Sequence, residues 1–297
     1  MISVSQIPSS LAFAVSRISD YWELTKPRLV FLVLLSALVG FVLASGNSLQ
    51  PGLLFSMLTG TALVASGAMT LNQWLEQEQD SRMARTAKRP IPAGRLEPIK
   101  ALIFGVLLSI AGLVILEITT STGCTLLAAI TTASYLFLYT PLKRKTSLCT
   151  IVGAVPGALP PLIGWAAAAG SLSFQAWILF SIVFLWQMPH FLAIGWMYRK
   201  EYAAAGFRML SAADSDEGCV GRQILLYALA LLPVSLLPTV AGMTGNFYFS
   251  GALLLGIGFV SLALSSLKQM GHQARWLFLG SILYLACLLV LMVLDKT

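Results

Sequence analysis

Charged residues are scarce in this sequence. Asp, Glu, Lys and Arg together make up 10% of its 297 residues, whereas hydrophobic residues make up 57%. A water-soluble domain carries about 25% charged residues, because its surface must face water. A disordered chain, in turn, needs low hydrophobicity. The composition therefore excludes a soluble enzyme and a disordered chain, and it favours a protein that is solvated by lipid.

Cysteine is equally sparse, and the four residues are widely separated. Their spacing offers neither a Cys-x-x-Cys pair nor a zinc knuckle, and it excludes a disulfide scaffold. The N-terminus is not predicted to be a signal peptide, because the apolar run Leu11–Val15 is short and no basic residues precede it. Residues 1–28 are predicted to be a cytoplasmic segment of a bacterial inner-membrane protein, with a mitochondrial transit peptide as the alternative. The cysteines are Cys124, Cys149, Cys219 and Cys287.

Nine apolar stretches of 18 to 24 residues run through the chain. A helix that crosses a bilayer needs about 20 apolar residues, and a helix satisfies its backbone groups within one segment. We therefore predict an all-α polytopic membrane protein, with a nine-helix domain over residues 29–294 and an external C-terminal tail over 295–297. The predicted spans are 29–46, 51–71, 101–119, 124–141, 148–169, 174–197, 223–244, 248–267 and 276–294.

The basic residues lie almost entirely on one side of these spans. With the N-terminus inside, 18 of the 19 Lys and Arg residues fall in inside segments, and Lys296 alone falls outside. Positively charged loops stay in the cytoplasm, so the sequence predicts a cytoplasmic N-terminus and an external C-terminus. The net charge of +7 then reflects orientation in the membrane and does not imply nucleic acid. Two long loops, 72–100 and 198–222, are predicted to be cytoplasmic, so we expect any catalytic site to lie at the cytoplasmic face.

An acidic segment follows the second span. Asn72, Glu76 and Asp80 are spaced i, i+4, i+8, which places them on one face of a helix. Carboxylate and amide oxygens suit Mg²⁺, which commonly uses one or two carboxylates together with substrate phosphates. Arg85 and Arg89 follow, and arginine suits phosphate recognition. The alternative is an ordinary solvated helix end with ion pairs.

The fourth span ends in aromatic and basic residues. Tyr135 and Tyr139 are four apart and lead into Lys143 and Arg144. The cations could take an anionic leaving group while the aromatic face lies beside a cationic intermediate. An interfacial tyrosine belt followed by cytoplasmic basic residues is the alternative.

The fifth and sixth spans carry unusual residues. Segment 153–165 combines small residues with three prolines, which predicts a broken helix that either lines a chamber or packs closely on a neighbour. Gln187 and His190 are polar within an apolar run, and such residues usually face the interior of a bundle. His190 could accept a proton, contact a porphyrin or be a hydrogen-bonded structural residue. Pro189 predicts a kink, and Glu201 is the natural acid of a second site or an ordinary surface acid.

Four segments together resemble the UbiA superfamily of intramembrane prenyltransferases, over roughly residues 20–294. The acidic motif is typical of the superfamily, and the last two segments look specific to a branch that modifies heme. The segments are Asn72-x3-Glu76-x3-Asp80 with Arg85 and Arg89, Tyr139-Thr140-Pro141-Leu142-Lys143-Arg144, Gly157 to Trp165 (GALPPLIGW), and Trp186 to Phe191 (WQMPHF) leading to Tyr202, Ala205 and Gly206.

The resemblance implies nine helices around a central cavity that is open to the cytoplasmic face and laterally to lipid. It implies Mg²⁺-dependent transfer of a farnesyl group from farnesyl diphosphate to a vinyl group of protoheme IX, with addition of water, which gives heme O. Heme A synthase or terminal oxidase assembly would use the product. The residues that the resemblance assigns to Mg²⁺-diphosphate are Asn72, Glu76 and Asp80, with Glu201 as a further metal ligand, and those assigned to the diphosphate are Arg85, Arg89, Lys143 and Arg144.

One departure from the family pattern concerns the second acidic segment. Many members carry two aspartates four residues apart there, whereas this chain has Glu201 and Ala205. Two other functions stay open at this stage. The first is prenyl transfer to an aromatic or quinone-precursor acceptor, and the second is a membrane protein that binds or transports lipid or heme without catalysis.

Overall fold

A computed structural model describes residues 9–46, 48–210, 217–267 and 270–297, with side chains from residue 17 onward. The predicted segment 1–28 and loop 198–222 therefore lie partly outside the described residues. The helices are α1 (Ser9–Leu24), α2 (Pro27–Ala44), α3 (Pro51–Leu75), α4 (Gln77–Ser81), α5 (Pro98–Thr119), α6 (Thr122–Ala133), a π-helix (Ser134–Tyr139), α7 (Thr140–Leu142), α8 (Cys149–Ala158), α9 (Pro160–Ala169), α10 (Phe174–Met197), α11 (Arg199–Ala204), α12 (Glu217–Val240), α13 (Asn246–Ser265) and α14 (Met270–Leu294).

Nine helical segments in the described ranges are long and apolar enough to cross a membrane. Each contains most of one predicted apolar stretch, so the all-α class and the span count are confirmed for this part of the chain. The spans are 27–44, 51–75, 98–119, 122–142, 149–169, 174–197, 217–240, 246–265 and 270–294.

The spans pack side by side into a ring, in which each contacts its neighbours and the last contacts the first. α3 packs along α5, α2 along α9, and α10 contacts both α12 and α14. The last span, α14, also returns to contact the first, α2. The connections after α3, α7 and α10 carry most of the basic residues, and we call the end of the bundle that holds them the basic end.

Glycines allow α2 and α9 to approach backbone to backbone. A Cβ atom on Gly164 would lie 1.9 Å from the carbonyl oxygen of Ala37, and one on Gly40 would lie 2.0 Å from that of Pro161. The fifth span is broken at Leu159, between α8 and α9, which confirms the interruption that its prolines predict. The buried α9 favours the close-packing interpretation of this segment over a chamber wall.

The fourth span is not a regular α-helix to its end. A π-helix occupies Ser134–Tyr139, and the Thr140 backbone N–H donates to the Tyr135 carbonyl. π-Helical turns are rare and often lie at functional sites. Thr140 directly follows this turn, and its hydroxyl accepts a hydrogen bond from Asn72 of the acidic segment. In the sixth span, by contrast, α10 remains one helix through Pro189.

Candidate functional site

The acidic segment lies at the basic end of the bundle and is buried. α3 ends at Leu75, and Glu76 connects it to the short helix α4. Although the helix is interrupted, Asn72, Glu76 and Asp80 remain on one side, with exposed fractions of 2%, 7% and 1%. The side chain of Glu78 is 66% exposed, in agreement with its predicted outward direction. The three oxygen-bearing side chains thus line the interior rather than lipid or water.

Each acid of this segment meets one basic side chain from another part of the chain. Lys143, which follows α7, donates to both carboxylate oxygens of Glu76 at 2.9 and 3.1 Å. Arg89 Nη1 lies 2.6 Å from Asp80 Oδ2. Burial alone would lower the pKa of Lys143, but the Glu76 carboxylate together with the hydroxyls of Tyr139 and Tyr135 outweighs it and raises that pKa above its ordinary value. Two predicted diphosphate ligands therefore lie directly beside two predicted metal ligands.

Asn72 is held from two sides. Its amide Nδ2 donates to the hydroxyl of Thr140 at 3.1 Å, and that hydroxyl donates in turn to the Tyr135 carbonyl. Its Oδ1 accepts from Lys26 Nζ at 3.4 Å. Thr140 and Lys26 are two residues at the site that the sequence analysis did not single out. Thr140 lies inside the quoted motif of the fourth span, whereas Lys26 had no signal beyond its charge.

Lys26 connects α1 to α2 in an uncommon conformation. Its φ of 49° and ψ of 61° lie in the left-handed region, and it is the one non-glycine residue with positive φ in the part of the chain that the structure describes. Loss of water and then the positive charge of Arg89 lower the pKa of Lys26 to about 7. The ammonium group is therefore part of the same electrostatic cluster as the acids.

The predicted residue Arg85 joins the loop after α4 to helix α11. Its guanidinium carbon lies 4.9 Å from the ring centre of Tyr198, and its Nη2 donates to the hydroxyl of Tyr202 at 3.3 Å. Its backbone N–H donates to Glu201 Oε2 at 3.3 Å. Glu201 is thus next to the basic loop, while the buried Ala205 occupies the position four residues later.

The two basic residues of the fourth span diverge. Lys143 turns inward, where its Nζ lies 4.5 Å from the ring centre of Tyr139. Arg144 is exposed and lines a groove between the second and fourth spans, together with Glu76 and the apolar side chain of Phe137. The tyrosine rings at 135 and 139 lie 5.6 Å apart, as their predicted common face requires.

The sixth span contributes a separate group of polar side chains. Gln187 is buried, and its amide donates to the carbonyl oxygens of Ala154 at 3.2 Å and Val183 at 3.1 Å. A Cβ atom on Gly157 would lie 2.0 Å from Gln187 Oε1, so the amide packs directly on α8. The quoted motifs of the fifth and sixth spans therefore form one packing unit.

His190 lies in an aromatic environment between α10 and α14. Its ring stacks on Trp186 with centres 4.9 Å apart and lies 5.1 Å from Phe278. Nδ1 is 2.7 Å from the hydroxyl of Ser281, which itself donates to the Phe278 carbonyl. Since that hydroxyl proton is already used, Nδ1–H is the donor, and Nε2 keeps its lone pair. The described partners of His190 all belong to α10 and α14, and none of them is an acid of the segment around Glu76.

The acidic segment suits a hard divalent cation by the chemistry of its donors. Two buried carboxylates and one amide oxygen face the same interior, and such oxygen ligands are those that Mg²⁺ prefers. No group of three His, Cys, Asp or Glu side chains within the described residues could hold a metal by itself. Two carboxylates and one amide match Mg²⁺, which commonly completes its coordination with substrate phosphates.

Within the described residues, nine spans and a buried cluster of acids and bases at one end define a polytopic membrane protein with a site suited to an anionic substrate. The chain belongs to the UbiA prenyltransferase family, whose model matches residues 33–292. It is 47% identical to the protoheme IX farnesyltransferase of Solibacter usitatus, over 93% of this chain and 98% of that protein. It is 42% identical to the protoheme IX farnesyltransferase of Opitutus terrae, over 99% of this chain and 98% of the relative.

Solved structures share the fold at low sequence identity. A structure concerned with digeranylgeranylglyceryl phosphate synthase matches with a TM-score of 0.79 and 16% identity, covering 94% of this chain and 98% of that chain. A UbiA homologue from Archaeoglobus fulgidus, bound to GPP and Mg²⁺, matches with a TM-score of 0.69 and 10% identity, covering 90% and 99%. These likenesses support the helical architecture of the described residues.

Proposed function

We propose that this chain transfers a farnesyl group from farnesyl diphosphate to a vinyl group of protoheme IX, with addition of water, giving heme O and diphosphate. The observation that carries the proposal is the buried set Asn72, Glu76 and Asp80, faced by Lys26, Lys143 and Arg89. Near-full-length relatives named as protoheme IX farnesyltransferases support heme as the acceptor.

The first bond change is departure of the diphosphate. The C1–O bond of farnesyl diphosphate breaks, and its electron pair leaves with the diphosphate, so negative charge must be neutralised at the basic end. Lys143 and Arg89 are already positioned there, and positioned cations stabilise developing charge without reorganisation. Mg²⁺ held by Asn72, Glu76 and Asp80, with Glu201 as a further candidate ligand, would supply Lewis-acid stabilisation of several kcal/mol.

The second change joins the two substrates. The terminal vinyl carbon of protoheme bonds to farnesyl C1, and the resulting cation beside the porphyrin ring takes a water molecule, which loses a proton. Tyr135 and Tyr139 are candidates to shield the first cation, since their rings lie 5.6 Å apart and Lys143, the partner of Glu76, lies 4.5 Å from the ring centre of Tyr139. His190 is the candidate for porphyrin contact or for accepting the proton, because Nε2 has a free lone pair.

The decisive experiment supplies the acceptors side by side. The purified protein is incubated with farnesyl diphosphate, Mg²⁺ and either protoheme or 4-hydroxybenzoate, and the molecular masses of the products are measured by mass spectrometry. We expect protoheme to gain one farnesyl group and one hydroxyl group, and 4-hydroxybenzoate to remain unchanged. A farnesylated benzoate would favour the quinone-precursor alternative, and movement of heme or lipid across vesicles without release of diphosphate would favour a transporter.

The role of His190 has its own test. His190→Asn retains an N–H that can donate to Ser281 but removes the basic Nε2, whereas His190→Ala removes both. We expect both variants to lose at least about tenfold in turnover, which corresponds to about 1.4 kcal/mol. Normal turnover in His190→Ala would show that this residue has no catalytic role, and normal turnover in His190→Asn alone would show that its role is structural.

We further propose that the basic end faces the cytoplasm in a bacterial inner membrane, with the N-terminus inside and the C-terminus outside. The support is the distribution of Lys and Arg along the sequence. Tags at the two termini, probed with a protease in intact cells that are permeabilised only in their outer membrane, test the orientation. Cleavage of the N-terminal tag would contradict it.

A further inference from the structure

Lys26 differs from the other cations of the cluster in what it contacts. Lys143 and Arg89 each form a close ion pair with a buried acid. The Lys26 side chain forms no ion pair within the described ranges, and its one side-chain hydrogen bond there, to Asn72 Oδ1, is long at 3.4 Å. An ammonium group has three donors. Two of them therefore have no acceptor among the described residues, although acids and an amide are close by.

The chain also holds Lys26 in a costly position. A left-handed conformation is unfavourable for a non-glycine residue and persists only where the surroundings impose it. Here they do, because the end of α1 is fixed by the Gln73 amide, which donates to the Leu24 carbonyl at 2.8 Å. Arg95 fixes the same helix through ion pairs with Asp20 and Glu23. The strained backbone directs the Lys26 ammonium group at the acidic segment, although Lys26 forms no ion pair with any acid in the described chain.

Unused donors and imposed strain on the same residue point to a ligand that accepts hydrogen bonds and carries negative charge. We propose that Lys26 binds the diphosphate of the prenyl substrate directly, as a third cation beside Lys143 and Arg89. This inference rests on the proposed function for the identity of the substrate. It assigns Lys26 to the donor substrate and not to the acceptor, since its neighbours are the acids and not the aromatic group around His190.

The test uses inorganic diphosphate as well as turnover. In Lys26→Gln we expect the KM for farnesyl diphosphate and the inhibition constant of inorganic diphosphate to rise at least about tenfold, while the KM for protoheme stays within about twofold. Lys26→Arg, which keeps the charge, should recover most of the affinity. Lys100→Gln is the matched control, because Lys100 pairs with Glu97 away from the site, and it should behave as wild type.

Folding is monitored in the same samples. Since Lys26→Gln removes an underused cation, its melting temperature should equal or exceed that of the wild type. Lys26→Asn is the second variant, because asparagine tolerates the left-handed conformation. Unchanged diphosphate constants in both variants would overturn the proposal, and so would a lower melting temperature together with equal increases in both KM values.

Stabilisation of the protein by inorganic diphosphate with Mg²⁺ needs no heme, so loss of that effect in Lys26→Gln supports the inference even if heme is not the acceptor.

Discussion

Replacing Asp80 with asparagine tests the central site most directly. The substitution keeps the size and one oxygen acceptor but removes the negative charge. Asp80 is 1% exposed, and its Oδ2 lies 2.6 Å from Arg89 Nη1. A hydrogen bond to a charged group contributes about 1.5–3 kcal/mol. In Asp80→Asn the guanidinium loses its charged partner, and the proposed metal site loses one of two carboxylates.

The expected loss can be divided between stability and catalysis. The Arg89 side chain is 22% exposed, so water can solvate part of the guanidinium once its partner is neutral. We therefore expect a destabilisation of no more than about 2 kcal/mol, below the cost of breaking a fully buried pair. Catalysis should fall further, by at least about tenfold and up to about a thousandfold in kcat/KM, which corresponds to about 1.4 to 4 kcal/mol.

The assay measures release of diphosphate and formation of the farnesylated product at several Mg²⁺ concentrations, with a melting curve for each sample. Glu78→Gln is the control, because Glu78 is two residues away, is exposed and pairs with Arg82 at the surface. It should keep kcat/KM within about twofold, since exposed pairs contribute little. If Asp80→Asn kept more than half of wild-type activity, or if Glu78→Gln lost as much, the assignment of the acidic segment would be wrong.

Two further predictions concern packing. Gly164→Ala should lower the melting temperature strongly, with a cost of about 3 kcal/mol or more, because its Cβ would lie 1.9 Å from a carbonyl oxygen of α2. Gly258→Ala, whose Cβ would meet open space, should be neutral or slightly stabilising, and equal melting of the two variants would contradict the close approach. Lys296→Met should lower the melting temperature without changing the KM for farnesyl diphosphate, because its ammonium donates to the carbonyls of Val42 and Gly46 at 2.7 and 2.6 Å and so ties the chain terminus to the first span. A changed KM would show that this contact affects the site instead.

The sequence was informative where one physical rule dominates. The length of an apolar run decides whether a helix crosses a bilayer, so the nine predicted spans follow directly from the apolar runs in the sequence. The i, i+4, i+8 spacing likewise predicts that Asn72, Glu76 and Asp80 share a side, and this survives the interruption of the helix at Glu76. Such rules are local, and they need no knowledge of the neighbouring segments.

Contacts between distant segments could not be obtained in this way. Nothing in the sequence around Lys26 predicts its left-handed backbone, which results from the docking of α1 on α3 and on the loop that follows α4. The position of Thr140 likewise depends on a π-turn, which follows no simple residue pattern. Both residues reach Asn72 from positions more than 40 residues away along the chain. The residues that complete the site are therefore those whose placement depends on tertiary structure.

The single acid of the second acidic segment has a specific consequence for the site. Glu201 accepts a hydrogen bond from the backbone of Arg85, and the Arg85 side chain lies against two tyrosines of the same region. Glu201 thus fixes the loop that carries Arg85 and Arg89, and Arg89 in turn holds Asp80. An acid at position 201 can therefore order the loop of Arg85 and Arg89 without contacting a metal. Since position 205 is a buried alanine, this segment offers one carboxylate, whereas the first acidic segment offers two buried carboxylates.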